Sequence, residues 1–138
     1  MVAYITLGCD DIDRAKRCYS AFLPALGYEL EEVHGGLSYS VPAASGQAVL
    51  PPDVYIKPAF DGHPASAGNG TMIAFDARNQ QQVRELHAAV LAAGGSDEGP
   101  PGFRDAYGPR FYVGYFRDPQ GNKIALFSND PNEPGRDG

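Results

Sequence analysis

Few side chains in this sequence are suited to metal binding or nucleophilic catalysis, and they are widely spaced. The chain has three histidines, His34, His63 and His87, and two cysteines, Cys9 and Cys18. Catalytic divalent metals are usually held by clustered imidazole, carboxylate or thiolate groups. The cysteines lie in different predicted elements, so we interpret them as free, buried thiols in a reducing compartment. The sequence contains neither a Gly-x-Ser-x-Gly nucleophile elbow nor a Walker loop.

The histidines can supply a metal site only if loops bring them together. His34 precedes a Gly-Gly pair, where a solvated hairpin turn is the expected setting, and His63 lies in the long loop 58–70. His87 follows Leu86 on a predicted helix, where we expect partial burial. Two alternatives remain: a divalent metal site formed by His34 and His63, or a protein that binds no metal.

Aromatic side chains are the more abundant potential ligand contacts, with eight tyrosines and no tryptophan. Most tyrosines are expected to pack at strand edges, with the hydroxyl reaching water. The alternative is an aromatic-lined pocket for a flat or amphipathic small molecule. Arg110, Arg117 and Lys123 are candidates to bind a ligand anion, or are simply solvated surface charges. The tyrosines in question lie on predicted strands (Tyr39, Tyr55, Tyr112, Tyr115) or in a loop (Tyr107).

Composition predicts one small globular domain. The chain has 138 residues, 43% of them apolar, and a net charge of −6. Scattered basic residues and an acidic balance exclude a role in binding nucleic acid, which needs clustered Lys and Arg. The N-terminus enters a strand pattern directly and no apolar run approaches the ~18 residues of a membrane span. We therefore expect no membrane association and a cytoplasmic protein.

The elements that must position these residues occur in two similar halves. Each half is predicted to contain a strand, a helix and three further strands. In the first half these are a strand at 3–7, a helix from Asp13 to Gly27 with aspartate caps before it, and strands near 28–33, 37–41 and 53–57. In the second they are a strand at 71–75, a helix from Gln80 to Gly94 capped by Asn79, and strands near 96–98, 110–117 and 122–128.

This duplication predicts an α+β fold in which two βαβββ repeats form a curved mixed sheet with the helices on its outer face. We predict one domain over residues 1–128, made of repeats of about 1–60 and 68–128. The polar segment 129–138 is expected to be a flexible tail.

Strand alternation separates a helix-facing side from a ligand-facing side. The apolar pairs Ile5 and Leu7, Ile73 and Phe75, and Ile124 and Leu126 are expected to face the helices. The opposite side has mixed polarity and is the predicted pocket surface. Its candidate lining residues are Tyr4, Thr6, Met72, Ala74, Tyr115, Lys123, Ala125 and Phe127.

The repeat also resembles the vicinal oxygen chelate proteins, which include glyoxalases, bleomycin resistance proteins and extradiol dioxygenases. The resemblance extends to Ser128 and implies a cup formed by paired βαβββ modules, often in a homodimer. It is carried by Tyr4-Ile5-Thr6-Leu7, Asp10-Asp11-Ile12-Asp13-Arg14-Ala15, Cys18-Tyr19, Leu26-Gly27-Tyr28, Gly68-Asn69-Gly70-Thr71, Ile73-Ala74-Phe75, Gly94-Gly95, Gly99-Pro100-Pro101-Gly102 and Arg117-Asp118-Pro119-Gln120-Gly121-Asn122-Lys123-Ile124.

Enzymes of this family typically place histidine on the first strand of each half and glutamate on the last strand. The resemblance assigns those positions to Tyr4, Met72 and Ala125, which supply almost none of the donors a hard or borderline metal needs. We therefore expect a small-molecule-binding protein without a cofactor. An aromatic compound is one candidate for its ligand. The alternatives are a lyase, isomerase or dioxygenase with unconventional metal ligands, and a metal-free enzyme using Tyr4 as acid or base.

Overall fold

The computed structural model describes residues 1–44 and 49–138 and confirms the two βαβββ repeats. The first repeat contains β1 (Tyr4–Gly8), α1 (Ile12–Tyr19), a 3₁₀ turn (Pro24–Leu26), β2 (Glu29–Val33), β3 (Gly36–Ser40) and β4 (Asp53–Lys57). The second contains β5 (Met72–Asp76), α2 (Gln80–Ala92), β6 (Ser96–Phe103), β7 (Tyr112–Arg117) and β8 (Lys123–Ser128).

The strand order is the same in both halves. The first sheet has the order β1-β4-β3-β2 and the second β5-β8-β7-β6. In each, the first strand pairs in parallel with the last one and the remaining pairs are antiparallel. This repeated topology fixes which positions of the two halves are equivalent. No helix in the described part of the chain is both long and apolar enough to cross a membrane.

The helices begin at the predicted caps, but the first one ends earlier than predicted. The side chains of Asp11 and Asn79 accept hydrogen bonds from backbone N–H groups three residues later. α1 ends at Tyr19, so the prediction of a helix reaching Gly27 is wrong in its extent. Pro24 has no N–H for a bond to the carbonyl four residues earlier, so the chain continues as tight turns. Gly27, with φ of 98°, closes the 3₁₀ turn.

The edge strand β6 is longer than the predicted 96–98. It extends to Phe103 through Gly99-Pro100-Pro101-Gly102, with two shifts of register against β7. Proline is tolerated at a sheet edge, where its missing N–H faces away from the neighbouring strand. The extension brings the chain after β6 close to the face of the second sheet.

The predicted helix-facing residues form the core. Leu7, Phe75, Ile124 and Leu126 are buried, and Ile5 and Ile73 are partly buried against the same cluster. Phe22, which follows α1 in the first half, packs edge-on against Phe75 and Phe116 of the second half, with ring centroids 5.6 and 5.3 Å apart. The two halves therefore share one hydrophobic core.

A buried carboxylate also joins the halves. Asp118, in the β7–β8 turn, accepts a hydrogen bond of 2.5 Å from the hydroxyl of Tyr19 on α1. It also accepts from the backbone N–H groups of Gln120 and Asn122 and from the Asn122 side-chain amide. The same amide donates to the backbone carbonyl of Gly8 at the end of β1. This network positions the end of β1 next to the start of β8.

The segment 129–138, predicted to be a flexible tail, is hydrogen-bonded to the second half. The side chain of Glu133 accepts from the backbone N–H of Gln80 at the start of α2, and its backbone carbonyl accepts from Arg110. The Arg136 guanidinium donates to the backbone carbonyls of Arg104, Asp105 and Tyr107. These contacts hold the segment 104–110 that follows β6.

Candidate functional site

The candidate site is the face of the second sheet opposite the helices. The pairing register places three rows of side chains across β5, β8 and β7 on this face. From the start of β5 these rows are Met72–Lys123–Arg117, Ala74–Ala125–Tyr115 and Asp76–Phe127–Val113. Six of the eight predicted pocket residues thus lie in adjacent positions, and Met72 stands directly beside Lys123.

The middle row is shallow because two of its members are alanines. Ala125 is fully buried, whereas Ala74 beside it is exposed. Taller side chains border this floor, with Met72 and Lys123 on one side and Phe127 on the other. Tyr115 forms the end of the row and lines a cavity of about 450 Å³ together with Lys123, Arg104 and Tyr107. A second cavity of about 270 Å³, shared by Lys123, Met72 and Arg117, adjoins it.

Two cations approach the ring of Tyr115. The Lys123 ammonium lies 5.0 Å from the ring centroid and the Arg104 guanidinium 5.4 Å from it. Both distances fit a cation–π contact. Burial, together with the nearby Tyr107 hydroxyl, raises the pKa of Tyr115, while Arg104 opposes that rise. The Tyr115 hydroxyl therefore stays protonated at neutral pH and is available as a hydrogen-bond donor.

The three cations considered from sequence have different surroundings. Lys123 faces the pocket, as described above. Arg117 donates to the Gly121 carbonyl and forms an ion pair of 3.1 Å with Glu98. Arg110 donates to the carbonyl of Glu133 in the C-terminal segment. Of the three, Lys123 is the one that forms no hydrogen bond or ion pair with the described residues, and its ammonium lies against the Tyr115 ring.

A row of aromatic rings continues the site beyond Phe127. The ring of Phe127 lies 4.7 Å from that of Phe111, which in turn lies 4.8 Å from that of Tyr107. Tyr107 is half exposed. Planar surfaces at this border suit a flat apolar group of a ligand.

The equivalent face of the first half differs in character. The register pairs Tyr4 with Asp53 in the way that Met72 pairs with Lys123, which makes Tyr55 the counterpart of Ala125. Tyr4 is 63% exposed and its ring contacts that of Tyr55 edge-on at 5.5 Å. Thr6, next to Tyr55, is exposed and lines a cavity with the loop that follows β4. This face has no alanine floor.

The positions that the resemblance assigns to metal ligands do not fit a metal. Tyr4, Met72 and Ala125 supply a phenol, a thioether and a methyl group, with no carboxylate or imidazole. Such a set lacks the donors that iron, zinc, nickel or manganese prefer. Across residues 1–44 and 49–138, no three His, Cys, Asp or Glu side chains are grouped in a way that could hold a metal ion.

The three histidines are placed apart from this surface. His34 is exposed in the β2–β3 hairpin turn with φ of 25°, and His63 is exposed beside Asp61. His87 is buried on α2 with its Nε2 atom 3.0 Å from the Tyr115 backbone carbonyl. His87 thus supports the strand that carries Tyr115, from the side opposite the pocket.

The two thiols are unsuited to nucleophilic chemistry. Burial, assisted by the Asp118 carboxylate, raises the pKa of the Cys9 thiol to about 11 and that of the Cys18 thiol to about 12. Because the thiolate is the reactive form, both are unreactive at neutral pH. Both are free cysteines, as predicted.

Comparison with known proteins establishes the family. The family model of the glyoxalase/bleomycin resistance protein/dioxygenase superfamily matches residues 2–126. The chain belongs to this superfamily. A solved glyoxalase/bleomycin resistance protein from Albidiferax ferrireducens T118 shares 33% sequence identity with it over 94% of this chain and 99% of the other, with a TM-score of 0.80.

More distant members of the glyoxalase/bleomycin resistance protein/dioxygenase superfamily share the fold alone. A glyoxalase-related enzyme from Fulvimarina pelagi is 21% identical over 98% of this chain and 94% of its own, with a TM-score of 0.70. A superfamily enzyme from Burkholderia phytofirmans PsJN is 14% identical over 93% and 98%, with a TM-score of 0.66. No curated protein matches the chain. The superfamily resemblance predicted from the sequence is therefore confirmed, while substrate and chemistry depend on the site itself.

Sequence reasoning missed two residues of this superfamily member's site. Arg104 lies in a loop, and no strand pattern indicates that it reaches Tyr115. Phe111 precedes β7, and its contact with Phe127 depends on how the segment 104–110 folds back. A cluster of aromatic and basic residues between 103 and 117 was the available signal, but it did not show which of them share a surface.

Proposed function

We propose that this protein binds a small, flat organic molecule on the face of its second sheet opposite the helices and does so without a metal. The observation that carries the proposal is the cavity of about 450 Å³ lined by Tyr115, Lys123, Arg104 and Tyr107, beside the alanine floor of Ala74 and Ala125. This surface lies in the part of the fold where the resemblance places metal ligands, but it supplies apolar contact and the ammonium of Lys123, which forms no ion pair with the described residues. Binding pockets commonly combine an apolar lining with a few polar groups that fix orientation.

The side chains that could take part in chemistry favour binding instead. Tyr115 is protonated, the cysteines are buried and unreactive, and His87 is occupied by a backbone contact on the far side of β7. None of these groups forms a nucleophile–base pair with another one in the part of the chain described. The homodimer implied by the family resemblance stays a prediction, which the solution mass would check.

A bulky side chain on the floor should block the ligand. We expect Ala74→Phe to weaken binding at least ~10-fold, because the added ring occupies exposed surface beside Met72 that a flat ligand would cover, and a contact of this size contributes about 1–3 kcal/mol. A thermal-shift screen of aromatic compounds identifies the probe. A compound present at 100 times its Kd stabilises the folded protein by about 2.7 kcal/mol, which raises Tm by several degrees.

The same substitution elsewhere provides the control. Ala88→Phe adds the same ring to an exposed position of α2, on the opposite side of the sheet from the floor. It should leave the ligand-induced rise in Tm unchanged, whereas Ala74→Phe should remove it. The proposal fails if no compound raises the Tm of the unmodified protein, or if both variants respond to the ligand as it does.

A further inference from the structure

We propose that the ligand of this site is a planar anion, with its carboxylate or phosphate group between Lys123 and Arg104 and its flat part against Tyr115 and the adjacent aromatic rings. This inference rests on the proposed function and specifies the ligand class for the same site. It is carried by the charge and geometry of the residues around the 450 Å³ cavity.

The first observation is that the two cations lack a carboxylate partner. The ion pairs among the described residues involve Lys16, His63, His87, Arg117 and Arg136, and none involves Lys123 or Arg104. The chain carries an overall charge of −6, so acidic groups are plentiful elsewhere. Two unneutralised cations beside one ring form a local positive region on an acidic protein, to which an anion is attracted.

The acidic groups near the cavity do not cancel this charge. Glu98 and Asp105 both line it. The Glu98 carboxylate is engaged by Arg117 at 3.1 Å. Asp105 is exposed to solvent and forms no ion pair with Lys123 or Arg104. Neither carboxylate is paired with Lys123 or Arg104, so both cations are available to a ligand anion.

The guanidinium of Arg104 is held in place before any ligand arrives. It donates to the backbone carbonyls of Phe103 and Pro100, at 3.1 and 2.7 Å. The loop that follows it is fixed by Arg136, which donates to the carbonyls of Arg104 and Tyr107 at 3.1 and 3.0 Å. A cation fixed by its own protein loses little conformational entropy on binding, and this favours affinity.

Because residue 99 is glycine, the backbone of β6 can lie close to both the Tyr115 ring and the Arg104 guanidinium. A Cβ atom there would lie 2.9 Å from the Tyr115 ring and 3.3 Å from the Arg104 guanidinium, and Gly99 has φ of 155°. The backbone of β6 therefore supports the Tyr115 ring and Arg104 at once. Lys123 also lines this cavity, and its flexible side chain can adjust to the anion.

The planar part of the ligand has a complementary surface. Tyr115 borders the alanine floor, and the rings of Phe127, Phe111 and Tyr107 continue from it with centroids 4.7 and 4.8 Å apart. Stacked or edge-on contacts with such rings contribute about 0.5–1.5 kcal/mol beyond area burial. An aliphatic anion would gain the charge contacts but lose these.

Three matched probes test the inference by isothermal titration calorimetry. They are 1-naphthoate, 1-naphthyl phosphate and neutral 1-naphthamide, which share one ring system and differ in charge. We expect the anions to bind at least ~10-fold more tightly than the amide, because a charge-assisted hydrogen bond contributes about 1.5–3 kcal/mol. The two anions distinguish a carboxylate ligand from a phosphate ligand by which binds more tightly.

Lys123→Met removes the charge while keeping a chain of similar length. It should weaken binding of the tighter anion at least ~10-fold and leave the affinity for 1-naphthamide unchanged. Lys57→Met is the matched control, because Lys57 is an exposed lysine at the end of β4 in the other half. It should change neither affinity, since it removes the same charge at a distance from Tyr115.

The outcomes separate this inference from the proposed function. If the amide binds as tightly as the anions and Lys123→Met has no effect, the anion assignment is overturned while the binding function stands. If Lys57→Met weakens binding of the anions as much as Lys123→Met does, the effect comes from overall charge and the site assignment is wrong. If none of the three probes binds and the aromatic thermal-shift screen is also negative, both proposals are wrong.

Discussion

Asp118→Ala is expected to lower the free energy of unfolding by about 3–5 kcal/mol, because it removes the acceptor of a buried network and leaves its donors without partners. The donors are the Tyr19 hydroxyl, the Asn122 amide and two backbone N–H groups of the β7–β8 turn. Burial, followed by the charge of Asp118, raises the pKa of Tyr19 well above its usual range, so its hydroxyl remains a donor. Urea denaturation followed by circular dichroism measures the change.

Two further variants make the expectation specific. Tyr19→Phe removes one donor and leaves Asp118 with three, so its effect should be about 1–2 kcal/mol. Asp105→Ala removes an exposed carboxylate and should change the free energy of unfolding by less than about 0.5 kcal/mol. A similar small loss for Asp118→Ala would contradict the assignment of this network as the link between the two halves.

Alkaline pH is expected to destabilise the protein through its two thiols. The pKa of Cys9 is about 11 and that of Cys18 about 12 in the folded chain, whereas an unfolded thiol ionises near pH ~8.5–9. Above that pH the unfolded state releases protons that the folded state keeps, so the stability present below pH ~9 is lost as pH rises toward the folded pKa values. Each thiol contributes a slope of up to about 1.4 kcal/mol per pH unit, and together they predict a loss of about 3 kcal/mol between pH 8 and pH 10.

The double variant Cys9→Ala, Cys18→Ala isolates this contribution. It should be less stable than the unmodified protein at pH 8, because buried sulfur atoms are lost, but its stability should fall much less between pH 8 and pH 10. Urea denaturation under reducing conditions at both pH values measures the difference. Equal pH dependence in the two proteins would show that the thiols ionise as readily in the folded chain as in the unfolded one.

The fold was predictable from the sequence because its determinants are local and occur twice. Alternation in the strands containing Ile5 and Ile73 identified the helix-facing side, and the caps Asp11 and Asn79 gave the helix starts. The end of α1 was less predictable, because an apolar stripe continues from Tyr19 to Leu26 although Pro24 prevents a regular helix. The spacing of apolar residues indicates which side of a segment is buried. It does not mark where a helix ends, because turns that pack on the same core continue the same spacing.

The site was only partly predictable, because its chemistry depends on loops. Alternation placed Lys123, Ala125 and Phe127 on one face of β8, and this needed no tertiary information. The approach of Arg104 to Tyr115 depends on carbonyl contacts made by Arg136, thirty-two residues later. Segment 129–138 has the polar composition of a flexible tail, yet its role in holding this loop comes from hydrogen bonds to backbone groups, which composition does not report.

Metal analysis of the protein, purified without an affinity tag, tests the central claim most directly. A binding site formed by an alanine floor, Tyr115 and Lys123 predicts far less than one equivalent of iron, zinc, nickel or manganese per chain, and an unchanged affinity for the aromatic ligand after treatment with a chelator. One equivalent of such a metal, lost together with ligand binding in His34→Ala or His63→Ala, would contradict it and establish the alternative of a metal-dependent site with unconventional ligands.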